Sequence, residues 1–377
     1  MAVFWRGMDK SEIETPALVI DLDRMQRNLS AMLAALEGSS ARIRPHAKSH
    51  KTPQIAAMQM AAGAVGVTCA KVGEAEGMVN GGIREILISS QLVGENKTRR
   101  AAELASRCNL SVACDTVKNV QDLSARAAAA GTTVGIVIET EIGMKRCGAS
   151  THELAVDIAG AASSLPGVEF RGIMGYEGHC VEIEHFEERQ ATTVKAMEAL
   201  LGYAGAIRRA GIPVQIVSAG GTGTYNITGR FPGVTDVQVG SFMLMDSTYR
   251  KVEGINFEQA LTCVATVISR PSKDLAVLDC GLKSLTAEQG TPQPLSQVDA
   301  SGRVNVYGID GAYIPGLSEE HARLRLESPS RDLNTGDKVE VVPTHSCTTM
   351  NTHDVVYVAS GNKVVDMWKI TGRGAFV

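Results

Sequence analysis

The stretch Ile43-Arg-Pro-His-Ala-Lys-Ser-His-Lys51 joins the end of a short apolar run to a cluster of basic side chains around Lys48. Cationic neighbours disfavour the ammonium form of a lysine. An uncharged amine is what a lysine needs to attack a carbonyl group and form a Schiff base. The alternative is a basic loop before a helix, with Pro53 as the first helical residue. The stretch alone leaves both interpretations open.

From the start of this stretch onward, short β-prone runs alternate with Ala-rich segments of helical spacing. The β-prone runs lie near residues 42–45, 65–69, 85–89, 110–114, 133–139, 169–175, 213–218 and 236–240. Strands that alternate with helices form right-handed crossovers and a parallel sheet. Eight such strands in about 200 residues favour an α/β fold of the (β/α)8 TIM-barrel type. An open doubly wound sheet is less favoured, because no GxGxxG follows an early strand.

After Tyr249 the pattern changes from Ala-rich helical segments to β-prone runs separated by turn-like segments. These runs are Leu261–Ser269, Leu275–Leu278, Val304–Val306, Lys338–Val342, Val355–Val358 and Val364–Ile370. The pattern predicts a mostly antiparallel β domain. We therefore predict a barrel over 23–249 and a β domain over 250–377. The N-terminal segment 1–22 contains a strand-like run and is a candidate to pair with the β domain.

Composition and charge exclude several classes of function. The 377 residues are 44 % hydrophobic and 21 % charged, which is typical of a globular protein with a sizeable core. A net charge of −4 predicts no nucleic-acid partner. Apolar runs stay shorter than the ~18 residues of a membrane span, and the first ten residues lack the apolar segment of a signal peptide. Eight cysteines without a CxxC predict reduced thiols in a cytoplasmic protein.

Residues with reactive side chains follow the predicted barrel strands. The active site of such a barrel lies at the C-terminal ends of its strands. In chain order, the residues that follow strands are Lys48, Lys71 and Glu74, Arg146, the group Tyr176, Glu177 and His179, the segment Ser218–Thr224, and Gly240 with Ser241. This agreement indicates a common site at one end of the barrel.

The segment Ser218-Ala-Gly-Gly-Thr-Gly-Thr224 is a candidate phosphate-binding loop. Glycine lets backbone N–H groups approach an anion, and hydroxyls add further hydrogen bonds. Loops after late barrel strands frequently bind phosphate. The segment lacks the Gly-Lys-Ser/Thr ending of a nucleotide-binding P-loop. The alternative is an ordinary flexible loop.

The segment Pro343-Thr-His-Ser-Cys-Thr-Thr-Met-Asn-Thr-His-Asp354 is a candidate metal site. In an extended segment, the side chains of His345 and Cys347 would point the same way. Imidazole and thiolate together suit zinc or another borderline-soft divalent ion. Two ligands are too few for a closed structural site, so water and substrate would complete the coordination. His353 and Asp354 could support the ligands, and the alternative is that all four are ordinary residues of the fold.

Taken together, the motifs resemble those of the fold-type III pyridoxal-phosphate enzymes, whose founding fold is that of alanine racemase. Within them the chain resembles the metal-dependent branch of D-threonine aldolase, D-3-hydroxyaspartate aldolase and dehydratase, and D-serine dehydratase. The resemblance extends over nearly the whole chain. Its motifs are Thr15–Leu22, Arg44–Lys48, Cys69–Ala75, Arg146–Gly148, Tyr176–Gly178, Gly220–Thr224, Gly240–Phe242, Asp279–Lys283 and the His345/Cys347 segment.

The resemblance implies a role for each of these residues. Lys48 would bind pyridoxal 5'-phosphate covalently, Arg146 would contact its pyridine nitrogen, and Tyr176 would line its ring. His345 and Cys347 would bind a divalent metal (Mn, Mg or Zn) beside the substrate hydroxyl. The phosphate would be held by the glycine-rich loop and the eighth strand end, with candidate residues Ser218, Gly221, Thr222, Gly240 and Ser241. The implied partner is a small amino-acid substrate, in a homodimer.

The resemblance implies a lyase that cleaves D-3-hydroxy amino acids to glycine and an aldehyde. The alternative is a dehydratase that produces a keto acid and ammonia, because the dehydratases of the branch carry Cys where Cys347 stands, whereas the aldolases commonly carry Asp. The segments Asn351–Asp354 and Cys69–Val93 are more similar to the aldolases. The general base is open between His179, which we prefer, and His185. Each of them could instead be an ordinary loop histidine.

Two further alternatives remain. An amino-acid racemase would need a catalytic tyrosine from the β domain, for which Tyr313 is the nearest candidate. A non-catalytic pyridoxal-phosphate-binding protein would be a single barrel, by the same resemblance. The segment 250–377 and its His-x-Cys motif argue against that class.

Overall fold

The computed structural model describes residues 5–290, 293–294, 309, 311–329 and 331–377. The chain divides into two compact units. The parallel unit comprises residues 32–240, 252–254 and 374–377. The antiparallel unit comprises the described residues of 1–31, 241–251 and 255–373. The β-prone run predicted at Val304–Val306 lies outside the described residues.

The strands are numbered in chain order. They are β1 (Ala17–Asp21), β2 (Arg42–Ile43), β3 (Val67–Cys69), β4 (Glu85–Ile88), β5 (Asn109–Cys114), β6 (Val134–Glu139), β7 (Val168–Met174), β8 (Ile216–Ala219), β9 (Asp236–Val237), β10 (Leu261–Ser272), β11 (Leu275–Leu278), β12 (Gln293–Pro294), β13 (Ala312–Tyr313), β14 (Ala322–Leu326), β15 (Lys338–Val342), β16 (Val355–Ser360) and β17 (Lys363–Lys369).

The α-helices are numbered in the same way. They are α1 (Leu22–Ala35), α2 (Pro53–Ala61), α3 (Val72–Asn80), α4 (Glu95–Leu104), α5 (Val117–Ala130), α6 (His152–Ser164), α7 (Phe186–Arg209), α8 (Tyr225–Thr228) and α9 (Ser346–Met350). In the described part of the chain, no helix is both long and apolar enough to cross a membrane.

The parallel unit contains a sheet of eight parallel strands, in the order β2-β9-β8-β7-β6-β5-β4-β3. The two strands at the ends of this order, β2 and β3, are joined by a parallel bridge between His46, three residues after β2, and Thr68 of β3. The Thr68 N–H also donates to the Pro45 carbonyl at 2.8 Å. These contacts close the sheet into a ring, and the predicted (β/α)8 barrel is confirmed.

Local sequence explains the alternation of strands and helices in this unit. All six residues of β6 are buried, as expected for a strand of a parallel sheet covered on both faces. The side chain of Thr116 caps α5 by accepting from the Asn119 N–H, and Gly131 ends the helix in the left-handed region with φ of 66°. Pro53 is the first residue of α2, the position that it has in the alternative interpretation of the Lys48 stretch.

The antiparallel unit is a second sheet with the strand order β13-β14-β11-β10-β1-β16-β17, and β15 pairs with β10 and β12. The N-terminal strand β1 pairs antiparallel with β10 and parallel with β16. Every other strand pair described in this sheet is antiparallel. The predicted mostly antiparallel β domain is therefore confirmed as a fold class. Its predicted boundary at residue 250 remains a prediction.

Candidate active site

Lys48 follows the short strand β2 at its C-terminal end. It lies in a 3-10 turn, Ala47–Ser49, whose N-cap is His46. The Lys48 N–H donates to His46 Nδ1 at 3.4 Å, so the backbone of the lysine is tied to the preceding histidine. The side chain of Lys48 is half-buried. The lysine therefore occupies the end of the barrel where the sequence predicts a site.

Two cationic side chains lie over the ring of Tyr176, which follows β7. Lys48 Nζ lies 5.6 Å from the ring centroid, and Arg146 Cζ lies 5.5 Å from it. Both distances are within the range of cation–π attraction. The structure thus brings together three of the predicted cofactor-binding residues, which come from three different strand ends.

Arg146 is linked to a buried carboxylate in the barrel wall. Its Nη2 lies 3.4 Å from Oε1 of Glu139, the last residue of β6. Gln91 Nε2 donates to the other oxygen of Glu139 at 2.6 Å. About half of the Arg146 side chain is exposed (49 %), whereas Glu139 is buried. The guanidinium is therefore anchored at one side and open at the other.

His46 is neutral in the folded protein. Burial lowers its pKa well below the ordinary 6.5, and the charges of Lys48 and Lys51 act in the same direction. Because Nδ1 accepts the Lys48 N–H, the ring proton resides on Nε2, which lies 3.3 Å from the Ser89 hydroxyl. The histidine thus fixes the turn that carries Lys48 without adding a charge.

Three glycines of the site lie close to neighbouring atoms, and a side chain at one of them, Gly223, would collide with its surroundings. A Cβ at Gly221 would lie 3.5 Å from Cε2 of the Tyr176 ring. A Cβ at Gly223 would lie 1.8 Å from the Val181 carbonyl oxygen. A Cβ at Gly240 would lie 3.4 Å from the His46 carbonyl oxygen, beside the lysine turn. The glycine-rich loop therefore lies next to the Tyr176 ring.

The hydrogen bonds of the loop refine the predicted phosphate site. The Gly221 N–H donates to the Thr224 hydroxyl at 3.1 Å, and Thr222 is buried. The Ser218 hydroxyl donates to Asp236 and accepts from Gln238 at 3.0 Å. Ser218 is fully buried, so its hydroxyl is used within the barrel wall. A direct contact of Ser218 with a phosphate remains a prediction, and its bonds favour a supporting role.

Ser241 comes directly after Gly240 and begins a 3-10 turn, Ser241–Met243. Ser241 belongs to the antiparallel unit, whereas Gly240 belongs to the parallel unit. Ser241 is buried, and its carbonyl accepts from the Leu244 N–H at 3.1 Å. Its predicted role in phosphate binding is not tested by these contacts.

The two candidate bases lie in different surroundings. His179 is exposed and packs on the loop after β6, where a Cβ at Gly143 would lie 2.8 Å from its Nε2. His185 is exposed, and its Nδ1 lies 3.3 Å from a carboxylate oxygen of Glu253. His179 is three residues from Tyr176 and contacts the loop that carries Arg146. Its position fits a site residue better than that of His185.

His345 and Cys347 are close together, but the expected extended segment was wrong. His345 is the N-cap of α9, and Cys347 lies within that helix. The two side chains form a hydrogen bond across the first turn. Burial disfavours the charged imidazole, but the Cys347 thiolate and the carboxylates of Asp246 and Glu288 outweigh it and raise the pKa of His345 to about 9.

Residues distant in sequence orient this pair. His345 Nδ1 lies 2.7 Å from Oε1 of Gln289. Asp246 is buried and accepts from the Ser346 N–H at 3.1 Å, so it holds the residue between His345 and Cys347. No local pattern in the sequence indicates Gln289 or Asp246, because their roles depend on pairs 56 and 100 residues apart.

His353, Asp354 and Tyr313, which are also candidate site residues, form hydrogen bonds or ion pairs with other residues of the fold. His353 Nε2 lies 2.8 Å from the Ser284 carbonyl, and Asp354 pairs with Arg373 at 3.1 Å. The Tyr313 hydroxyl donates to an oxygen of Glu327 at 3.1 Å. These contacts give His353 and Asp354 a structural explanation.

The residues present fit both groups that the sequence resemblance implies. An amine and an aromatic face beside a glycine-rich loop suit a phosphorylated aromatic aldehyde. For the metal, an imidazole and a thiol in contact are a suitable donor pair. No group of three His, Cys, Asp or Glu side chains able to hold an ion is found among the described residues, so the pair is an open two-ligand site at most.

Comparison with known families agrees with the fold. The family model described as alanine racemase, N-terminal domain, matches residues 20–248. The model described as putative serine dehydratase domain matches residues 260–359. The first match covers more than half of the chain, including the lysine turn and the glycine-rich loop.

Curated relatives match over nearly their full lengths. A D-threonine aldolase of Arthrobacter sp is 35 % identical over 371 residues, covering 98 % of this chain and 95 % of the relative. A 3-hydroxy-D-aspartate aldolase of Paracoccus denitrificans (strain Pd 1222) is 34 % identical, covering 98 % and 94 %.

Solved structures superpose closely on the chain, and the family follows from all these matches. The crystal structure of D-threonine aldolase from Filomicrobium marinum has a TM-score of 0.93 and 35 % identity, covering 99 % of both chains. A D-threo-3-hydroxyaspartate dehydratase variant in the metal-free form has a TM-score of 0.85 and 28 % identity, covering 96 % of this chain and 98 % of that chain. The chain therefore belongs to the family of the alanine racemase N-terminal domain, the fold-type III pyridoxal-phosphate enzymes that its sequence motifs resemble.

Proposed function

We propose that this protein is a pyridoxal-phosphate- and metal-dependent lyase that cleaves D-3-hydroxy amino acids to glycine and an aldehyde. The observation that carries the proposal is the convergence of Lys48 and Arg146 on the Tyr176 ring at the C-terminal end of the barrel. Full-length similarity to two aldolases that act on such substrates supports the choice of reaction.

In the proposed enzyme, Lys48 holds the cofactor through its side-chain nitrogen. Tyr176 would line the cofactor ring, and Arg146 would contact its pyridine nitrogen. The phosphate is held by the loop Gly220–Thr224 together with Gly240 and Ser241. When bound, pyridoxal phosphate supplies a conjugated system that accepts electrons from a bond at the substrate Cα.

We assign His345 and Cys347 as the metal-binding residues. Oε1 of Gln289 accepts a hydrogen bond from the Nδ1–H of His345, which leaves Nε2 as the ligand atom, a common arrangement around metal-binding histidines. A bound divalent ion supplies Lewis acidity that makes a hydroxyl group easier to deprotonate. The metal-free form named for the related dehydratase variant supports metal use, and Mn, Mg and Zn are the candidate ions.

We propose His179 as the group that removes the proton of the substrate β-hydroxyl. Its ring is exposed, and it contacts the loop that carries Arg146. Loss of that proton allows the Cα–Cβ bond to break, with the β-carbon leaving as an aldehyde. His185 is the second candidate, but its imidazole is paired with Glu253.

A dehydratase is the second candidate function, and Cys347 is the observation that favours it. Dehydratases of the branch carry cysteine at this position, and the dehydratase variant superposes with a TM-score of 0.85. The products distinguish the two reactions. Retro-aldol cleavage of D-threonine produces acetaldehyde and glycine, whereas dehydration produces a keto acid and ammonia.

Incubation of the cofactor-loaded protein with D-threonine, L-threonine and D-serine tests the proposal. We expect acetaldehyde and glycine in equal amounts from D-threonine, and little product from L-threonine. Treatment with EDTA should abolish this activity, and Mn²⁺, Mg²⁺ or Zn²⁺ should restore it. A keto acid and ammonia as the main products would support the dehydratase instead, and turnover that is indifferent to EDTA would contradict the metal assignment.

A further inference from the structure

Glu177 is a fully buried carboxylate three residues after the end of β7, directly after Tyr176. Within the described part of the chain, no lysine or arginine forms an ion pair with it. Burying a carboxylate costs free energy unless hydrogen bonds compensate for the lost hydration. The compensating donors all come from the glycine-rich loop and the helix that follows it.

The donors divide between the two oxygens of Glu177. Oε2 accepts from the Gly220 N–H at 3.0 Å. Oε1 accepts from the hydroxyls of Thr224 at 2.8 Å and Thr228 at 2.5 Å. The carboxylate thus forms hydrogen bonds with the loop at Gly220 and at Thr224, on either side of the segment 221–223.

Two further hydrogen bonds connect Thr224 with the segment 221–223. The Thr224 hydroxyl that donates to Glu177 also accepts from the Gly221 N–H at 3.1 Å, and the Thr224 N–H donates to the Gly221 carbonyl at 3.2 Å. Gly220 has a φ of 86°, a left-handed conformation in which a β-carbon is strained. The loop conformation therefore depends on an acceptor at the Glu177 position.

We infer that Glu177 is a positioning residue that shapes the glycine-rich loop for the phosphate group and so makes the site selective for pyridoxal 5'-phosphate over pyridoxal. This inference rests on the proposed function, because it assumes that the loop binds the cofactor phosphate. A negative charge near a phosphate would by itself oppose binding. Two effects offset this repulsion. Three hydrogen-bond donors stabilise the negative charge, and the carboxylate fixes the backbone on both sides of 221–223.

The test compares the two vitamers, since both offer an aldehyde to Lys48 but only one carries a phosphate. Dissociation constants for pyridoxal 5'-phosphate and for pyridoxal are measured by absorbance titration of the apoprotein. The variant Glu177→Gln keeps the size of the side chain and removes its charge. Glu169→Gln is the matched control, because Glu169 lies on β7, the strand that leads to Glu177, and its side chain is exposed (53 %) and pairs with Arg171 at the surface.

We expect Glu177→Gln to weaken pyridoxal 5'-phosphate binding roughly tenfold, the scale of hydrogen bonds to a buried charged group. Binding of pyridoxal should change less than about twofold, and the control should match the wild type. Thr228→Val removes one donor to Oε1 and should weaken only the phosphorylated vitamer, about threefold. If Glu177→Gln does not fold, the effect of Thr228→Val on the two dissociation constants tests the inference by itself.

Three results have different consequences. Equal weakening of both vitamers would mean that Glu177 supports the barrel in general, and the inference would be wrong. Unchanged or tighter binding of the phosphorylated vitamer would overturn it as well. If the wild-type protein binds neither vitamer, the cofactor assignment under the proposed function fails instead.

Discussion

His50 lies two residues after Lys48 and shows how burial controls charge in this part of the barrel. Its side chain is completely buried, and burial lowers its pKa from 6.5 to about 3. The Thr52 N–H donates to His50 Nδ1 at 3.1 Å, which requires an unprotonated nitrogen. The imidazole of His50 is therefore neutral in the folded protein.

The pH dependence of stability follows from this pKa. Between about pH 6.5 and pH 3, the unfolded chain binds a proton at His50 that the folded chain excludes. The free energy of unfolding should therefore fall as the pH drops, by about 2 kcal/mol from His50 alone between pH 7 and pH 5. Denaturant unfolding at several pH values measures this change in the free energy of unfolding.

The variant His50→Asn tests this cause, because an amide oxygen can accept the Thr52 N–H but does not titrate. Its free energy of unfolding should fall less steeply between pH 7 and pH 5 than that of the wild type. His321→Asn, at an exposed position, should keep the wild-type slope. An unchanged slope in His50→Asn would show that another group causes the acid sensitivity.

At the scale of residues, much of the candidate site was predictable from sequence. Lys48, Arg146, Tyr176 and Gly221 each follow a β-prone run, and the barrel geometry brings them together. Their supporting residues were not predictable. Glu177 contacts partners 43 to 51 positions away, and such pairs leave no local pattern in one sequence.

At the scale of elements, close contacts constrain the glycine-rich loop. Gly223→Ala would place a methyl group 1.8 Å from the Val181 carbonyl oxygen, so the backbone of one segment would have to move. We expect a loss of about 1–3 kcal/mol in the free energy of unfolding and weaker cofactor binding. Thermal unfolding of the apoprotein and cofactor titration measure the two effects.

Gly160→Ala provides the matched control for this substitution. Gly160 lies within α6, and a Cβ there would meet no atom within 4 Å. The substitution should raise stability by roughly 0.5–1 kcal/mol, because alanine has the higher helix propensity. A Gly223→Ala protein as stable as Gly160→Ala would contradict the close contact with Val181.

The His-x-Cys segment shows where local pattern reading failed. Residues two apart share a face only in a strand, and the sequence Ser346–Met350 has no apolar periodicity that indicates a helix. The structure has a helix of 5 residues there, and Asp246 holds its first turn from 100 residues away. The pair remains in contact because His345 stands at the N-cap position of the helix that contains Cys347.

At the scale of the whole molecule, the barrel was predictable because each βα repeat has its own local signal. The strands near 110–114 and 133–139 were expected where β5 and β6 are found. The order of strands in the antiparallel sheet was not predictable, since β1 lies between β10 and β16, more than 200 positions away. Only long-range pairing determines that order.

The central claim is that Lys48 is covalently joined to pyridoxal phosphate, and one measurement tests it most directly. The cofactor-supplemented protein is reduced with borohydride, digested and mapped by mass spectrometry, with the visible absorbance recorded before and after reduction. We predict a visible band that disappears on reduction and a cofactor adduct on the peptide containing Lys48. The Lys48→Ala variant should show neither. A colourless wild-type protein, or an adduct on a different lysine such as Lys51 or Lys71, would contradict the claim.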